Sequence, residues 1–331
     1  MTAYVLGKML GVEALVLCIP AAVSLIYGET SDMAAFGITS AVLCVFFLLF
    51  GRKKPENGRI YGKDGLVIVA AAWILWSVFG ALPFYLSREI PSYVDALFET
   101  VSGFTTTGST ILTDIEALSY GMNFWRCLTH WIGGMGVLVF VMVVTSLDDK
   151  SSMHLMRAEV PGPEADKLVP KARETAKLLY AMYLALTVAE IIFLLAGGMN
   201  LYDSIIHSFS TAGTGGFANH NSSVAYYDSA YIDGVITVFM ILFGINFNMY
   251  FLLLIKDVKS VWKNEEVRAY LGIIVAATLV ITCNVLSIYK EPLKAFRYSI
   301  FQVASIITTT GFATADFNGR NCQNVFCFSL W

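Results

Sequence analysis

Charge is what this sequence has least of. Only 14% of its 331 residues are Asp, Glu, Lys or Arg, against roughly 25% in an average globular chain. With 56% of the residues apolar or aromatic and a mean hydropathy of +0.65, a water-facing globule of this size could not be covered by polar side chains. The expected solvent for most of the chain is therefore lipid. The 22 basic and 25 acidic residues nearly balance, and there is no Lys/Arg block interleaved with aromatics, which argues against a nucleic acid partner. The six cysteines, Cys18, Cys44, Cys127, Cys283, Cys322 and Cys327, show neither CxxC nor Cys/His metal-ligand spacing, so they read as small core residues, with no disulfide framework or zinc site. HExxH, GxSxG and clustered His/Asp are missing as well. No enzyme and no cofactor are expected.

What is present is a series of long apolar runs. Stretches near 20 residues predict seven full spans at roughly 8–28, 33–51, 65–86, 124–147, 176–198, 231–255 and 268–289. Three further apolar stretches, at 93–104, 203–211 and 295–307, are too short to cross as helices. The basic residues orient the chain. Arg52, Lys53, Lys54, Arg59 and Lys63 follow span two; Lys150, Arg157, Lys167, Lys171, Arg173 and Lys177 follow span four; Lys256, Lys259, Lys263 and Arg268 follow span six. These segments are expected to face the cytoplasm. The opposite segment from Gly197 to Asp233 has no Lys or Arg at all, so the three short stretches lie on the outer side, where re-entrant segments would sit.

Those outer segments repeat one plan. They read DALFETVSGFTTTGST (Asp95–Thr110), DSIIHSFSTAGTGGFANHN (Asp203–Asn221) and AFRYSIFQVASIITTTGFATADF (Ala295–Phe317), and Gly108, Gly216 and Gly311 fall in one column. A period near 100 residues marks repeated structural units. A helix that stops at mid-membrane aims carbonyls carrying about −0.5 charge at that depth, which favours a cation. Glycine admits the positive φ that the following turn needs and lets carbonyl oxygens approach an ion closely. Threonine adds a hydroxyl oxygen without charge. Several such turns around one axis could replace the water shell of a monovalent cation, whereas a divalent ion would call for carboxylates, and none lies inside the clusters.

Each cluster taken alone reads as a polar turn or as small-residue helix packing; three recurrences on one membrane side favour a filter. Gly133, Gly134 and Gly136 sit inside a predicted span and read as packing residues that let the first short segment approach. Asp95, Glu99 and Asp203 lie towards the outer side of their short segments, where they either concentrate cations at an outer vestibule or complement a helix N-terminus. Glu13 and Glu190 fall near or within spans, where an ionisable group is costly and often functional, or else pairs with a polar neighbour. His207 reads as packed and hydrogen-bonded, and Arg126 as a residue that snorkels at the outer end of a span.

The TTTGS, STAGTGGF and ITTTGFATADF clusters, WIGGMG (Trp131–Gly136), RAEVPGPEADKLVPKARETAK (Arg157–Lys177) and FGINFN (Phe243–Asn248) together resemble the TrkH/KtrB family of bacterial potassium-translocating subunits, over nearly the whole chain up to Phe317. Two extra N-terminal spans resemble the TrkH branch. The resemblance implies an all-α integral membrane fold of potassium-channel-like membrane-pore-membrane units in the cytoplasmic membrane. Residues 1–51 would form two N-terminal helices, 62–147 the first unit, 148–173 a cytoplasmic connector, 174–256 the second unit and 266–331 an incomplete third. It also implies a potassium filter of Thr106, Thr107 and Gly108, then Thr214, Gly215 and Gly216, then Thr309, Thr310 and Gly311. A single glycine-centred turn per unit implies fewer coordination layers than in potassium channels. A secondary transporter of another cation or small solute, built on broken helices, is the alternative.

After Phe317 the sequence reads NGRNCQNVFCFSLW, where the family would continue with the rest of unit three and a fourth unit. The composition change at Asn318 reads as a truncated or frame-shifted end. Three units alone would leave polar backbone unpaired, so this chain by itself is expected not to close a selective pore. The resemblance further implies a homodimer on a cytoplasmic nucleotide-binding regulatory subunit of the TrkA/KtrA kind, met by the basic inner segment through Arg157 and Lys171. Replacing both with Glu is expected to weaken binding to that subunit, measured by titration with the purified partner; unchanged binding would remove the assignment.

Overall fold

The computed structural model describes residues 1–53, 62–136, 172–254 and 256–314. Among these every regular element is helical. The connector with Arg157 and Lys171, and the segment after Phe317, lie outside the described residues. The chain divides into two compact units, Met1–Ala181 and Met182–Trp331.

In the first unit α1 (Thr2–Val16) and α2 (Cys18–Tyr27) form one apolar stretch broken at Leu17. Pro20 accounts for the break, because its ring removes an amide hydrogen and crowds the carbonyl of Val16 four residues earlier. Gly28 ends α2 in the left-handed region at φ 78°. α3 (Thr30–Phe46) continues into a π-helical turn, Phe47–Gly51. α4 (Gly62–Gly80) and α5 (Leu82–Ser87) make the third long apolar stretch, and the chain then turns through Arg88 at φ 67° into α6 (Tyr93–Phe104).

α7 (Tyr120–Gly134) shows how a helix end is satisfied next to an apolar medium. Its first amides have no partner within the helix. The Ser119 hydroxyl accepts from Met122 N at 3.3 Å. The Glu29 carboxylate takes the amides of Tyr120 (2.7 Å) and Gly121 (2.9 Å), and Glu89 takes that of Ser119 (3.1 and 3.2 Å). Two acids from distant loops thus meet the positive end of one helix.

In the second unit α8 (Ala172–Ala196), which begins in the first, leads to α9 (Leu201–Ala212), whose cap Asn200 accepts from Asp203 N at 2.8 Å. α10 (Ala230–Phe243), α11 (Phe247–Leu254), α12 (Val258–Lys263), α13 (Glu265–Tyr289) and α14 (Pro292–Ile307) follow. Their core gathers Leu194, Ile236, Met240, Phe301 and Phe312, each at most 1% exposed.

Among the described residues, five helical stretches are long and apolar enough to cross a membrane: Thr2–Tyr27, Thr30–Gly51, Asp64–Ser87, Lys177–Ala196 and Glu265–Leu286. They coincide with five of the seven predicted spans. The span expected at 231–255 is instead broken between Phe243 and Phe247. A Cβ on Gly244 would stand 2.5 Å from the Tyr270 hydroxyl and 2.7 Å from Thr308 Cγ2, so the break lies where α13 and the turn after α14 press on the chain. Of the span expected at 124–147, the described part is a helix that starts earlier, at Tyr120, and ends at Gly134, with Gly136 left-handed at φ 80°; residues 137–147 lie outside those described.

Burial pushes the Glu89 carboxyl up to about 7, helped by the charges of Asp32 and Glu29 and opposed by its bonds to Ser119. A carboxyl raised in the folded state stabilises the fold at acid pH, and that contribution disappears as the pH rises through about 7. The Tm of the purified protein is therefore expected to fall across that range, and Glu89→Gln to flatten the profile; parallel profiles would contradict the placement of Glu89.

Candidate ion-binding turns

The short helices α6, α9 and α14 end in the same turn. At the first, Thr105 N donates to Val101 O (2.9 Å), Thr106 N to Gly103 O (3.1 Å) and Thr107 N to Ser102 O (2.9 Å). At the second, Gly213 N reaches Phe209 O (3.0 Å), Thr214 N reaches Thr211 O (3.0 Å) and Gly215 N reaches Ser210 O (3.0 Å). At the third, Thr308 N reaches Ala304 O (3.1 Å), Thr309 N reaches Ile306 O (3.0 Å) and Thr310 N reaches Ser305 O (2.8 Å). This is the pattern of a helix closed by one left-handed residue, a position usually given to glycine. Here it is Thr106, Thr214 and Thr309, at φ 54°, 54° and 58°. Two residues on, Gly108, Gly216 and Gly311 are left-handed again, at 76°, 76° and 88°, while the residue between keeps negative φ. A backbone whose φ changes sign at each step can turn successive carbonyls to one side, as a cation-binding strand requires.

Threonine hydroxyls stiffen two of the turns. Thr105 Oγ1 donates to Val101 O (2.7 Å), so the 2.8 Å contact between Thr105 and Thr107 is one in which Thr107 donates. Thr308 and Thr310 repeat this at 2.7 Å, with Thr308 donating to Ala304 O. The second turn has Gly213 and Gly215 at the matching positions and no such brace.

Behind the turns each exit strand is tied to the scaffold differently. Glu99 on α6, 1% exposed, pairs with Arg126 Nε at 2.5 Å and accepts from Thr110 Oγ1 (2.9 Å) and Ile111 N (3.0 Å). Asp203 on α9 accepts from Asn219 Nδ2 (2.7 Å), the Tyr227 hydroxyl (2.8 Å) and Asn200 Nδ2 (2.8 Å). Ser305 on α14 donates to Phe312 O (2.8 Å), and Ala313 O accepts from Ala225 N (3.1 Å). Arg297 on α14 pairs with Asp233 at 3.3 Å.

Of the three acids expected at an outer vestibule, Asp95 alone is half-exposed; Glu99 and Asp203 are buried, because each spends its charge on the chain leaving its turn. Arg126 does not snorkel: it is 2% exposed and meets Glu99. His207 is packed as expected, with Nδ1 donating to Asp203 O at 2.8 Å. Glu13 and Glu190 are wholly buried without hydrogen-bond partners.

Close backbone approach fixes the turns in place. A Cβ on Gly133 of α7 would lie 2.2 Å from Phe104 O, and one on Gly216 would lie 2.0 Å from Thr310 O. The expected packing role of Gly133 is thus met, and the second and third turns touch main chain to main chain. A serine column at Ser102, Ser210 and Ser305, six residues before each turn glycine and buried in every case, went unnoticed in the sequence although aligning the glycines reveals it.

The family model described as TrkH, cation transport protein, matches residues 33–322. The chain belongs to that family. It is 36% identical over 304 residues to the Trk system potassium uptake protein TrkH of Escherichia coli K12, covering 89% of this chain and 62% of that protein. It is 32% identical over 319 residues to the E. coli protein named TrkG, covering 94% and 65%. The crystal structure of the potassium transporter TrkH from Vibrio parahaemolyticus superposes with a TM-score of 0.82 at 31% identity, covering 96% of this chain and 66% of that one. The chain thus spans less than two thirds of the length of its E. coli TrkH relative.

Gly311 is left-handed with open space around it, whereas Gly216 is left-handed and in contact. Gly311→Ala is expected to cost about 1–2 kcal/mol of stability, the strain alone, and Gly216→Ala about 4 kcal/mol or more. Denaturant or thermal unfolding checks this; equal losses would contradict the packing of turn two on turn three.

Proposed function

We propose that this chain supplies the conducting part of a potassium uptake subunit in the bacterial cytoplasmic membrane. Thr106, Thr107, Gly108, Thr214, Gly215, Gly216, Thr309, Thr310 and Gly311 would line the ion path. The observation that carries this reading is the turn of alternating handedness repeated at three helix C-termini. Helix carbonyl ends favour a cation, and the absence of a carboxylate within the turns suits a monovalent ion that sheds its water for neutral oxygens. Relatives named for potassium uptake match nearly the whole chain.

A homodimer served by a cytoplasmic nucleotide-binding regulatory subunit goes with this reading, Arg157 and Lys171 facing that subunit. Rubidium uptake tests it, in a bacterium lacking its own potassium systems and expressing the gene with its native flanking sequence. Uptake is expected to be competed by potassium and not by excess sodium, and to fall about tenfold or more in Gly216→Ala, equivalent to about 1.4 kcal/mol. Uptake competed equally by sodium would overturn the reading.

A further inference from the structure

The serine column on the three short helices is not used in the same way by each repeat. Ser102, Ser210 and Ser305 all give their main-chain carbonyl to the turn that follows, through Thr107 N at 2.9 Å, Gly215 N at 3.0 Å and Thr310 N at 2.8 Å. The hydroxyls differ. Ser305 Oγ donates to Phe312 O at 2.8 Å, whereas those of Ser102 and Ser210 are buried and have no hydrogen-bond partner among the described residues. Ser305 O also takes the Gly311 amide at 3.4 Å, and among the described residues the glycines of the first two turns have no matching bond. One residue of α14 thus holds three in succession, Thr310, Gly311 and Phe312.

The third turn lacks the carboxylate that steadies the other two. Glu99 on α6 holds Thr110 and Ile111, and Asp203 on α9 holds Asn219 and Tyr227. α14 contains no Asp or Glu, and Gln302, nine residues before Gly311 as Glu99 is before Gly108, is buried with an amide nitrogen that meets no acceptor among the described residues. Packing does not replace the missing acid at the glycine. A Cβ on Gly216 would run into Thr310 O, but one on Gly311 would meet nothing within 4 Å. A glycine in open space can take either sign of φ, so the value of 88° at Gly311 has to be held by bonds on both sides. Ser305 makes them, to the amide of Gly311 and to the carbonyl of Phe312; the next fastening, by Ser223 and Ala225, comes at Ala313.

We infer that Ser305 is a positioning residue for the ion path, its hydroxyl turning the Phe312 carbonyl back onto α14 so that the carbonyls the third turn offers an ion end at Gly311. This rests on the function proposed above for the turns. The matching serines of the first two repeats have no such part, so the repeats stand unequally around the ion. Without the hydroxyl, Phe312 O loses its donor and Gly311 loses the fixed group that follows it. A carbonyl strand that is free to move can close on a smaller ion, so the loss falls on discrimination between potassium and sodium.

Rubidium uptake tests this in a bacterium lacking its own potassium systems and expressing the gene with its native flanking sequence, read as the ratio of the sodium and potassium concentrations that halve uptake. Poorer folding lowers the uptake of every ion alike and leaves that ratio where it is. Ser305→Ala is expected to lower the ratio about fivefold, what one hydrogen bond contributes, while Ser102→Ala and Ser210→Ala keep the wild-type value. Ser305→Cys, a weaker donor of similar size, is expected to fall between. An unchanged ratio in Ser305→Ala, or an equal loss in all three alanine variants, would overturn the inference; a wild type without preference for potassium would overturn the proposed function instead. Hydrogen exchange of the purified protein reads the clamp without transport. Residues 308–313 are expected to exchange faster in Ser305→Ala, and residues 105–110 no faster in Ser102→Ala; wild-type exchange at 308–313 in Ser305→Ala would overturn the clamp.

Discussion

A β-branched residue held at φ near +55° is the constraint on which the three turns depend. Strain of this kind costs of order 1–3 kcal/mol per site and persists only where surroundings over-determine it. At Thr106, Thr214 and Thr309 those surroundings are the two closing hydrogen bonds at each helix end, the hydroxyl braces of the first and third turns, and main-chain packing such as that of Gly216 against Thr310. Glycine would relieve the strain at no steric cost. Finding threonine there three times means that local stability has been set aside for a backbone path with a defined side group.

The second constraint is the medium. Polar groups inside an apolar chain need partners, and the acids near the turns find them: Glu99 in Arg126 and the Thr110–Ile111 strand, Asp203 in Asn219 and Tyr227. The bonds to Thr110, Ile111, Asn219 and Tyr227 fasten the chain past a turn to the helix before it, and Arg126 ties that helix to α7, so electrostatic satisfaction and the shape of the turn are one requirement.

Composition alone indicated a membrane chain, the family resemblance an all-helical one, and run length located five long helices to within six residues, since apolar length is a property of the segment itself. Tertiary facts were harder to see. The break lies at Gly244, which Tyr270 and Thr308 approach too closely for a side chain; both are remote in sequence, so residues 231–255 read as one span. The burial of Glu99 depends on Arg126, 27 residues away; without that partner a short amphipathic helix gives no sign of which way its acid faces. The repeated Thr and Gly positions were visible because the left-handed turn is dictated locally.

Covalent linkage of unlike repeats has an evolutionary consequence. In a symmetric oligomer every substitution is copied into every subunit, so a change tolerable once must be tolerable several times over. Here the residue nine places before each turn glycine is Glu99, His207 or Gln302, three chemistries in one column. Each repeat is free to drift or specialise alone, and a single nucleotide change can retune one repeat while its sisters keep the ancestral setting.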